Sequence, residues 1–239
     1  MVILGVRYHN LTRRSALNRA LSLADGSEKN QIFFLNLDCL YNALNDADYR
    51  QALSSSSLTL PDGIGIKLAT RLFGGRMKEN LNGTDFSPLL MSELTERGHK
   101  IYLLGGKEGV AKAAADVLRE RIPAIQIVGA ESGFFEGDDA VQSINQSGAT
   151  VLFVGMGVPK QEKWIMQNRE SLKPRLCLGV GALFDWISGT HTRSPAVFRK
   201  LNLEWFWRVL IEPRRMFKRY FVHDLPFLLV LLFNRLKVL

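Results

Sequence analysis

The stretch TVLFVGMGVPKQEKWI, residues 150–165, decides the fold. Its first residues are β-branched or apolar and run into Gly155-x-Gly157, a length that suits a buried strand and is too short for a helix. Pro159 fits the first turn of a helix, where its fixed φ is helical and its missing N–H is not needed. Lys160, Gln161 and Glu162 then open an amphipathic segment. Strand, glycine turn and helix follow one another here without a spare residue.

Working outward, apolar runs at 31–37, 58–60, 100–104, 125–128 and 175–180 also read as strands, most with helical sequence behind them. The piece GVAKAAADVLRER (109–121) has Ala-rich helical spacing, and 87–97 is likewise amphipathic. That rhythm predicts an α/β, Rossmann-like fold, a largely parallel sheet with helices on both faces. There is no repeat of fixed period, and the serine run 54–57 reads as a loop.

With 239 residues, 46% hydrophobic and 23% charged, the chain can bury one sizeable core. Residues 189–239 carry ten Lys/Arg against Glu204, Glu212 and Asp224, and so hold +7 of the net +8. The change near Gly189 divides the chain into an α/β domain, 1–188, and a basic helical C-terminal appendage, 189–239. In the appendage the charge is mixed with Trp205, Phe206, Trp207, Phe217, Tyr220 and an uncharged stretch from Leu225 to Asn234, which suits an anionic, partly apolar membrane surface. The segment 225–233 also reads as a core helix or a contact in a homo-oligomer. The amino terminus has too short an apolar run for a signal peptide, and nothing approaches the roughly 20 apolar residues of a spanning helix. The expectation is a cytoplasmic protein peripherally associated with the cytoplasmic membrane. Cys39 and Cys177 lack a CxxC or metal-ligand spacing and read as reduced, buried thiols, and the scattered histidines form no zinc pattern.

Ligands of an open parallel sheet bind beyond the carboxyl ends of its strands. The candidates are therefore Asn36 and Asp38, Asp62 in Pro61-Asp62-Gly63, Gly105 and Gly106, Gly155 to Glu162, and Gly179 to Asp185. In LLGGKEG the glycines let backbone N–H groups approach a diphosphate at a helix start, although G-G-x-x-G is equally a tight turn. With Gly155 and Gly157 before it, Lys160 can meet a phosphate and Gln161 a sugar hydroxyl, their side chains projecting into the crevice. Asp62 is either a turn residue or a general base at a strand end. Asn82-Gly83-Thr84-Asp85 resembles a helix start, with Thr84 or Asp85 capping 87–97. Asp46-Ala47-Asp48 has the D-x-D form of a metal pair but lies away from the strand ends and reads as a solvated helix face, so no metal is expected. If 203–211 and 213–220 are helical, Arg215 and Arg219 share a face, and Arg208 joins them if the axis bends little at Pro213; a solvated basic face is the plainer alternative.

Taken together, PDGIGI, NGTDF, IYLLGGKEG, ESGFF, VGMGVPKQEKWI, GVGALFDWISGTHTRSP and LEWFWRVLIEPRRMFKRY resemble, in order and spacing, the WecG/TagA/CpsF glycosyltransferase family over almost the whole chain. The resemblance implies an inverting, metal-independent transferase needing no cofactor. It would move a sugar from a UDP-sugar to a polyprenyl-diphosphate-linked sugar during synthesis of wall teichoic acid, common antigen or exopolysaccharide. It also implies roles for particular residues. Asp62 matches the acidic residue proposed as base, Asn36 an asparagine after the first crevice strand, and Gln161 a glutamine of the active-site pocket. Gly105, Gly106 and the Gly179-Val180-Gly181 turn match positions around the nucleotide, with Asp185 nearby. Arg208, Arg215 and Arg219 match basic positions that reach the diphosphate and membrane. Relatives often carry Arg where this chain has Asn80, and some carry Thr where it has Phe34. Two other classes stay open on the residues: a nicotinamide-dependent oxidoreductase, for which Glu131 sits roughly where a ribose-binding acid falls, and a nucleic-acid-binding protein, which has only the basic balance behind it.

Overall fold

The computed structural model describes residues 1–192 apart from 136 and 138, and beyond them 195, 198, 204–211, 213, 226, 227 and 232. A small antiparallel hairpin, β1 (Val2–Ile3) and β2 (Val6–Arg7), precedes the main sheet. The sheet contains β3 (Asn30–Leu35), β4 (Leu58–Pro61), β5 (Lys100–Gly105), β6 (Gln126–Glu131), β7 (Val151–Gly155) and β8 (Leu176–Gly179), in the order β4-β3-β8-β7-β5-β6. Every pairing in it is parallel.

Because strand side chains alternate between faces, the continuous apolar runs of these strands feed two cores. Ile32, Phe34, Ile101, Leu103, Val151, Phe153, Leu176 and Leu178 face one layer, made of α1 (Arg13–Asp25), α5 (Gly83–Glu96), α6 (Val110–Arg121) and α9 (Leu183–Ile187). Phe33, Leu35, Tyr102, Leu104, Leu152, Val154 and Cys177 face the other. That second layer is built from α2 (Leu37–Asn45), α3 (Ala47–Ser55), α4 (Gly63–Leu72), α7 (Asp139–Gln146) and α8 (Lys160–Gln167). The Rossmann-like architecture expected from the sequence is the one observed. Cys39 and Cys177 are free, buried thiols, each pushed up to about 12 by burial.

The connections fix where a ligand can sit. The chain leaves β5 for α6 on the first face, whereas it leaves the neighbouring β7 for α8 on the second face. A crevice opens between such diverging loops at the carboxyl edge of the sheet.

Several boundaries differ from expectation, each for a local reason. The first crevice strand ends at Leu35 because Asn36 caps α2, its Oδ1 accepting from the Cys39 N–H at 2.9 Å. The helix expected at 87–97 begins at Gly83, and its cap is Asn82 instead of Thr84 or Asp85. Asn82 accepts from the Asp85 N–H at 2.8 Å and donates from Nδ2 to the Asp85 carboxylate at 2.9 Å, so cap and third residue satisfy each other. Ser54 and Ser55 are not loop but the last turn of α3, their hydroxyls donating back to the Arg50 and Gln51 carbonyls. Within the appendage, α10 (Glu204–Ile211) is described, tied back by the Trp207 indole N–H donating to the Thr192 carbonyl at 3.3 Å.

Phe153 is wholly buried in a central strand. Phe153→Ala is expected to cost about 3–5 kcal/mol in urea unfolding, the usual scale for emptying an aromatic site. A loss under about 1 kcal/mol would contradict the two-core packing.

Candidate active site

The crevice begins at two glycines. Gly105 and Gly155 pair side by side at the ends of β5 and β7, and the Gly106 N–H donates to the Gly155 carbonyl at 3.0 Å. A Cβ on Gly105, whose φ is 151°, would strike the Gly155 carbonyl, and one on Gly155 would come within 2.7 Å of the Gly181 carbonyl oxygen. The loop after β6 is laced to the same place, the Gly133 N–H donating to the Gly106 carbonyl at 3.0 Å. Glycine is thus demanded by backbone crossing backbone.

Lys160 stands at the head of α8. Its ammonium donates to the Gly133 carbonyl at 3.3 Å and lies 5.8 and 6.0 Å from the Phe134 and Phe135 ring centres, so its positive charge sits between the β7 and β6 loops. Gln161 does otherwise than its motif suggests. Instead of projecting into the crevice it is buried, with Oε1 accepting from the Gly157 N–H at 3.2 Å and the Gly181 N–H at 2.9 Å. It clamps the turns after β7 and β8 together. The room comes from Gly179, where a Cβ would lie 2.9 Å from the Gln161 amide nitrogen.

Glu162, a strand-end candidate to which the sequence assigned no role of its own, sets the orientation of that clamp. The Gln161 Nε2 donates to Glu162 Oε1 at 2.8 Å, leaving its Oε1 to face the two backbone donors. Glu162 is wholly buried, and its second carboxyl oxygen has no hydrogen-bond partner among the described residues. Burial raises it to about 7, opposed by the Gln161 bond, and its charge acts on neighbouring Cys39 and Tyr49. The only sequence signal was a carboxylate next to Gln161 in a motif already singled out.

At the other end of the edge, Asp62 follows β4 and heads α4 without capping it. The Asp62 N–H donates to the Leu35 carbonyl at 2.8 Å, and the Gly63 N–H to Asn80 Oδ1 at 2.7 Å. Asn80, the position where relatives often carry Arg, therefore pins the turn that bears the candidate base. Phe34, the other departure, packs edge-on to Phe86 beneath Gly83. A cleft of about 80 Å³ opens beside the Asp62 turn, between α4 and residues 77–80. Asn36 and Gly181 lie at the ends of the intervening strands β3 and β8. Three strand spacings, roughly 14 Å, separate β4 from β7.

Asp185 lies half-buried in α9, where its backbone carbonyl accepts from the His191 N–H at 3.0 Å. Asp46 caps α3 and pairs with Lys163 at 2.9 Å, with Asp48 at 3.7 Å from the same ammonium, so the D-x-D is an ion-paired helix start and not a freely solvated face. Asp46 is held below its ordinary value first by the Tyr49 N–H and then by Lys163. Arg208 belongs to α10, but its side chain, like Arg215 and Arg219 altogether, lies outside the described residues.

A strand-end crevice with glycine turns on one side and a carboxylate on the other is the arrangement of Rossmann-like transferases and dehydrogenases. The family resolves that choice. The profile of the "Glycosyl transferase WecG/TagA/CpsF family" matches residues 1–238, and the chain belongs to this family of glycosyltransferases. It is 33% identical over 182 residues to the N-acetylglucosaminyldiphosphoundecaprenol N-acetyl-beta-D-mannosaminyltransferase of Bacillus subtilis (strain 168), covering 76% of this chain and 71% of the relative. It is 29% identical over 222 residues to the enzyme of the same name from Staphylococcus aureus (strain MRSA252), covering 90% and 85%. Neither the oxidoreductase nor the nucleic-acid alternative is favoured by this membership, and Glu131 is a hydrogen-bond partner of Tyr102.

The burial of Glu162 has a pH signature. A folded value near 7 against an ordinary 4.5 means that the native state keeps a proton the unfolded chain has released. The stabilisation this represents is full below about 4.5, falls as pH rises toward 7, and is gone above it. Glu162→Gln imitates the protonated form, so its melting temperature should gain on the wild type between pH 5 and pH 8. A gap independent of pH would show that Glu162 is ionised in the fold throughout.

Proposed function

We propose that this glycosyltransferase moves a sugar from a UDP-sugar onto a polyprenyl-diphosphate-linked sugar, with inversion, in the synthesis of a bacterial surface polysaccharide or wall polymer. The relatives are named for transfer of N-acetylmannosamine onto N-acetylglucosaminyl-diphospho-undecaprenol, and the acceptor class is taken from them. The observation that carries the reading is the spread of the site along one sheet edge: glycine turns and Lys160 at β5 and β7, Asp62 at β4. That separation is one a sugar diphosphate can span, with its nucleotide at the turns and its anomeric carbon toward Asp62.

In this mechanism the Asp62 carboxylate takes the proton of the acceptor hydroxyl. The oxygen so released attacks the anomeric carbon while the bond to UDP breaks on the opposite side, and UDP leaves with the bonding electrons. Charge developing on the diphosphate is offset by the positive amino-terminal ends of α6 and α8 behind the turns at Gly105, Gly106, Gly155 and Gly157, by Lys160, and by an arginine of the appendage, Arg208, Arg215 or Arg219. Asn36, Gly181 and Asp185 line the middle of the edge. Gln161 acts by holding the Gly157 and Gly181 turns. No metal or other cofactor is assigned, because cationic side chains and N–H donors suffice and Asp46 and Asp48 are engaged with Lys163.

Peripheral membrane association is the companion proposal. Among the described residues no helix is long and apolar enough to cross a membrane. The described part of the appendage does carry exposed apolar groups, Phe206 and Leu210, one turn apart on α10. Domain 189–239 would thus bring the enzyme to the lipid that carries its acceptor.

The direct test is UDP release from a panel of UDP-sugars with a short-chain prenyl-diphosphate-GlcNAc acceptor. Turnover with one donor is expected, undiminished by EDTA, and Asp62→Asn should lower it roughly 10²-fold or more while UDP still binds. Wild-type turnover in Asp62→Asn would remove the base assignment, and loss with EDTA reversed by one divalent ion would remove the metal-free mechanism.

For the membrane, each Lys/Arg near an anionic surface contributes about 1 kcal/mol, decaying over a Debye length, so liposome binding should weaken as salt rises. Deleting residues 221–239 should release protein from liposomes yet spare some transfer to a soluble acceptor, and deleting 189–239 should abolish both. Equal liposome binding by the full chain and the shorter deletion would assign the apolar end to the core or to an oligomer contact.

A further inference from the structure

We infer that the cleft beside Asp62, between α4 and residues 77–80, holds the diphosphate of the prenyl-linked acceptor, and that the outer face of α4 carries the first part of its lipid. This rests on the reading of Asp62 as the base. It adds a docking surface on the α/β domain, separate from the appendage arginines.

The cleft lies between Gly63, Ile64 and Lys67 of α4 and residues 77–80, so that Lys67, Lys78 and Glu79 are the charged residues of its lining. Lys67 and Lys78 are exposed, and neither has an ion-pair partner among the described residues. One carboxyl oxygen of Glu79 is engaged by the Arg13 N–H at 2.5 Å, at the start of α1, and the lining holds two ammonium groups against this single carboxylate. Two ammonium groups in a cleft that begins one residue from Asp62 match a diphosphate whose attached sugar must offer its hydroxyl to that carboxylate.

The neighbouring helix face supplies the second half. Ile64 and Leu68 are 43% and 41% exposed, and being four residues apart they form one ridge along α4. Their partners on the buried side, Ile66 and Ala69, are wholly buried, so the exposed pair is the outer face of a fixed helix and not a frayed end. Lys67 and Arg71 flank the ridge. An apolar ridge bordered by cations, running away from a cationic cleft, is complementary to a lipid tail leaving an anionic head group.

Two paired variants test this: Lys67→Ala with Lys78→Ala, and Ile64→Ser with Leu68→Ser, all at exposed positions. Their affinity for geranyl diphosphate, which carries no sugar, is measured by calorimetry. The lysine pair should weaken it about tenfold or more, the scale of a lost charge-assisted contact, with UDP affinity changed less than about twofold. In the transfer assay the lysine pair should raise acceptor KM and leave donor KM in place. The serine pair should raise KM far more for a long-chain acceptor in vesicles than for a short-chain one.

Geranyl diphosphate bound as tightly by the lysine pair as by the wild type, or not bound by the wild type, would overturn the assignment. So would an equal loss of binding to phosphatidylglycerol vesicles that contain no prenyl diphosphate, since the patch would then be a general anionic-surface contact. If geranyl diphosphate binding behaves as expected while no UDP-sugar is consumed, the cleft stands and the transferase reading of the site fails.

Discussion

The structure depends on a close approach of backbone to backbone at the carboxyl edge of its sheet. Gly105 and Gly155 stand in register where the chain turns to opposite faces, and neither position has room for a side chain. That exclusion keeps the β5, β6 and β7 loops laced to one another, through Gly106, Gly155 and Gly133. Lys160 adds a positive charge at the rim of this edge, where the proposed nucleotide diphosphate would sit.

The same edge is held from below by a buried polar pair. A carboxamide that accepts two backbone hydrogen bonds must present its oxygen, and the Glu162 carboxyl secures this by accepting a hydrogen bond from the amide nitrogen. An apolar side chain at position 162 would avoid the cost of burying a carboxyl. Its hydrogen bond to Gln161 orients the clamp, so the turns that frame the site gain from it. Glu162 and Gln161 thus couple the β7 and β8 ends much as Asn80 and the Leu35 carbonyl couple the β3 and β4 ends around Asp62.

Much of this was legible in the sequence. The central strand runs are nearly continuously apolar because they feed two cores, and such runs give away a parallel sheet more readily than an alternating pattern does. The glycine turns and Asp62 were legible by position, since a strand end is where a parallel sheet binds. Boundaries were less so, because capping is decided by which of several polar residues wins: Asn82 prevails over Thr84 and Asp85, and Asn36 ends its strand early. The hairpin of β1 and β2 is too short to show a period, and nothing in Gln161 or Asn80 announces a side chain that reaches across to another loop. Those contacts are long-range, and a pattern read along the chain cannot contain them.

The measurement that tests the central claim most directly is a hydrogen-exchange footprint of the protein with and without a UDP-sugar that it consumes. Protection is predicted in the segments 105–110, 132–135, 155–161 and 179–183, with little change in α1 or α7. Protection confined to other segments, or none at saturating donor, would contradict a nucleotide seated at the divergence of β5 and β7.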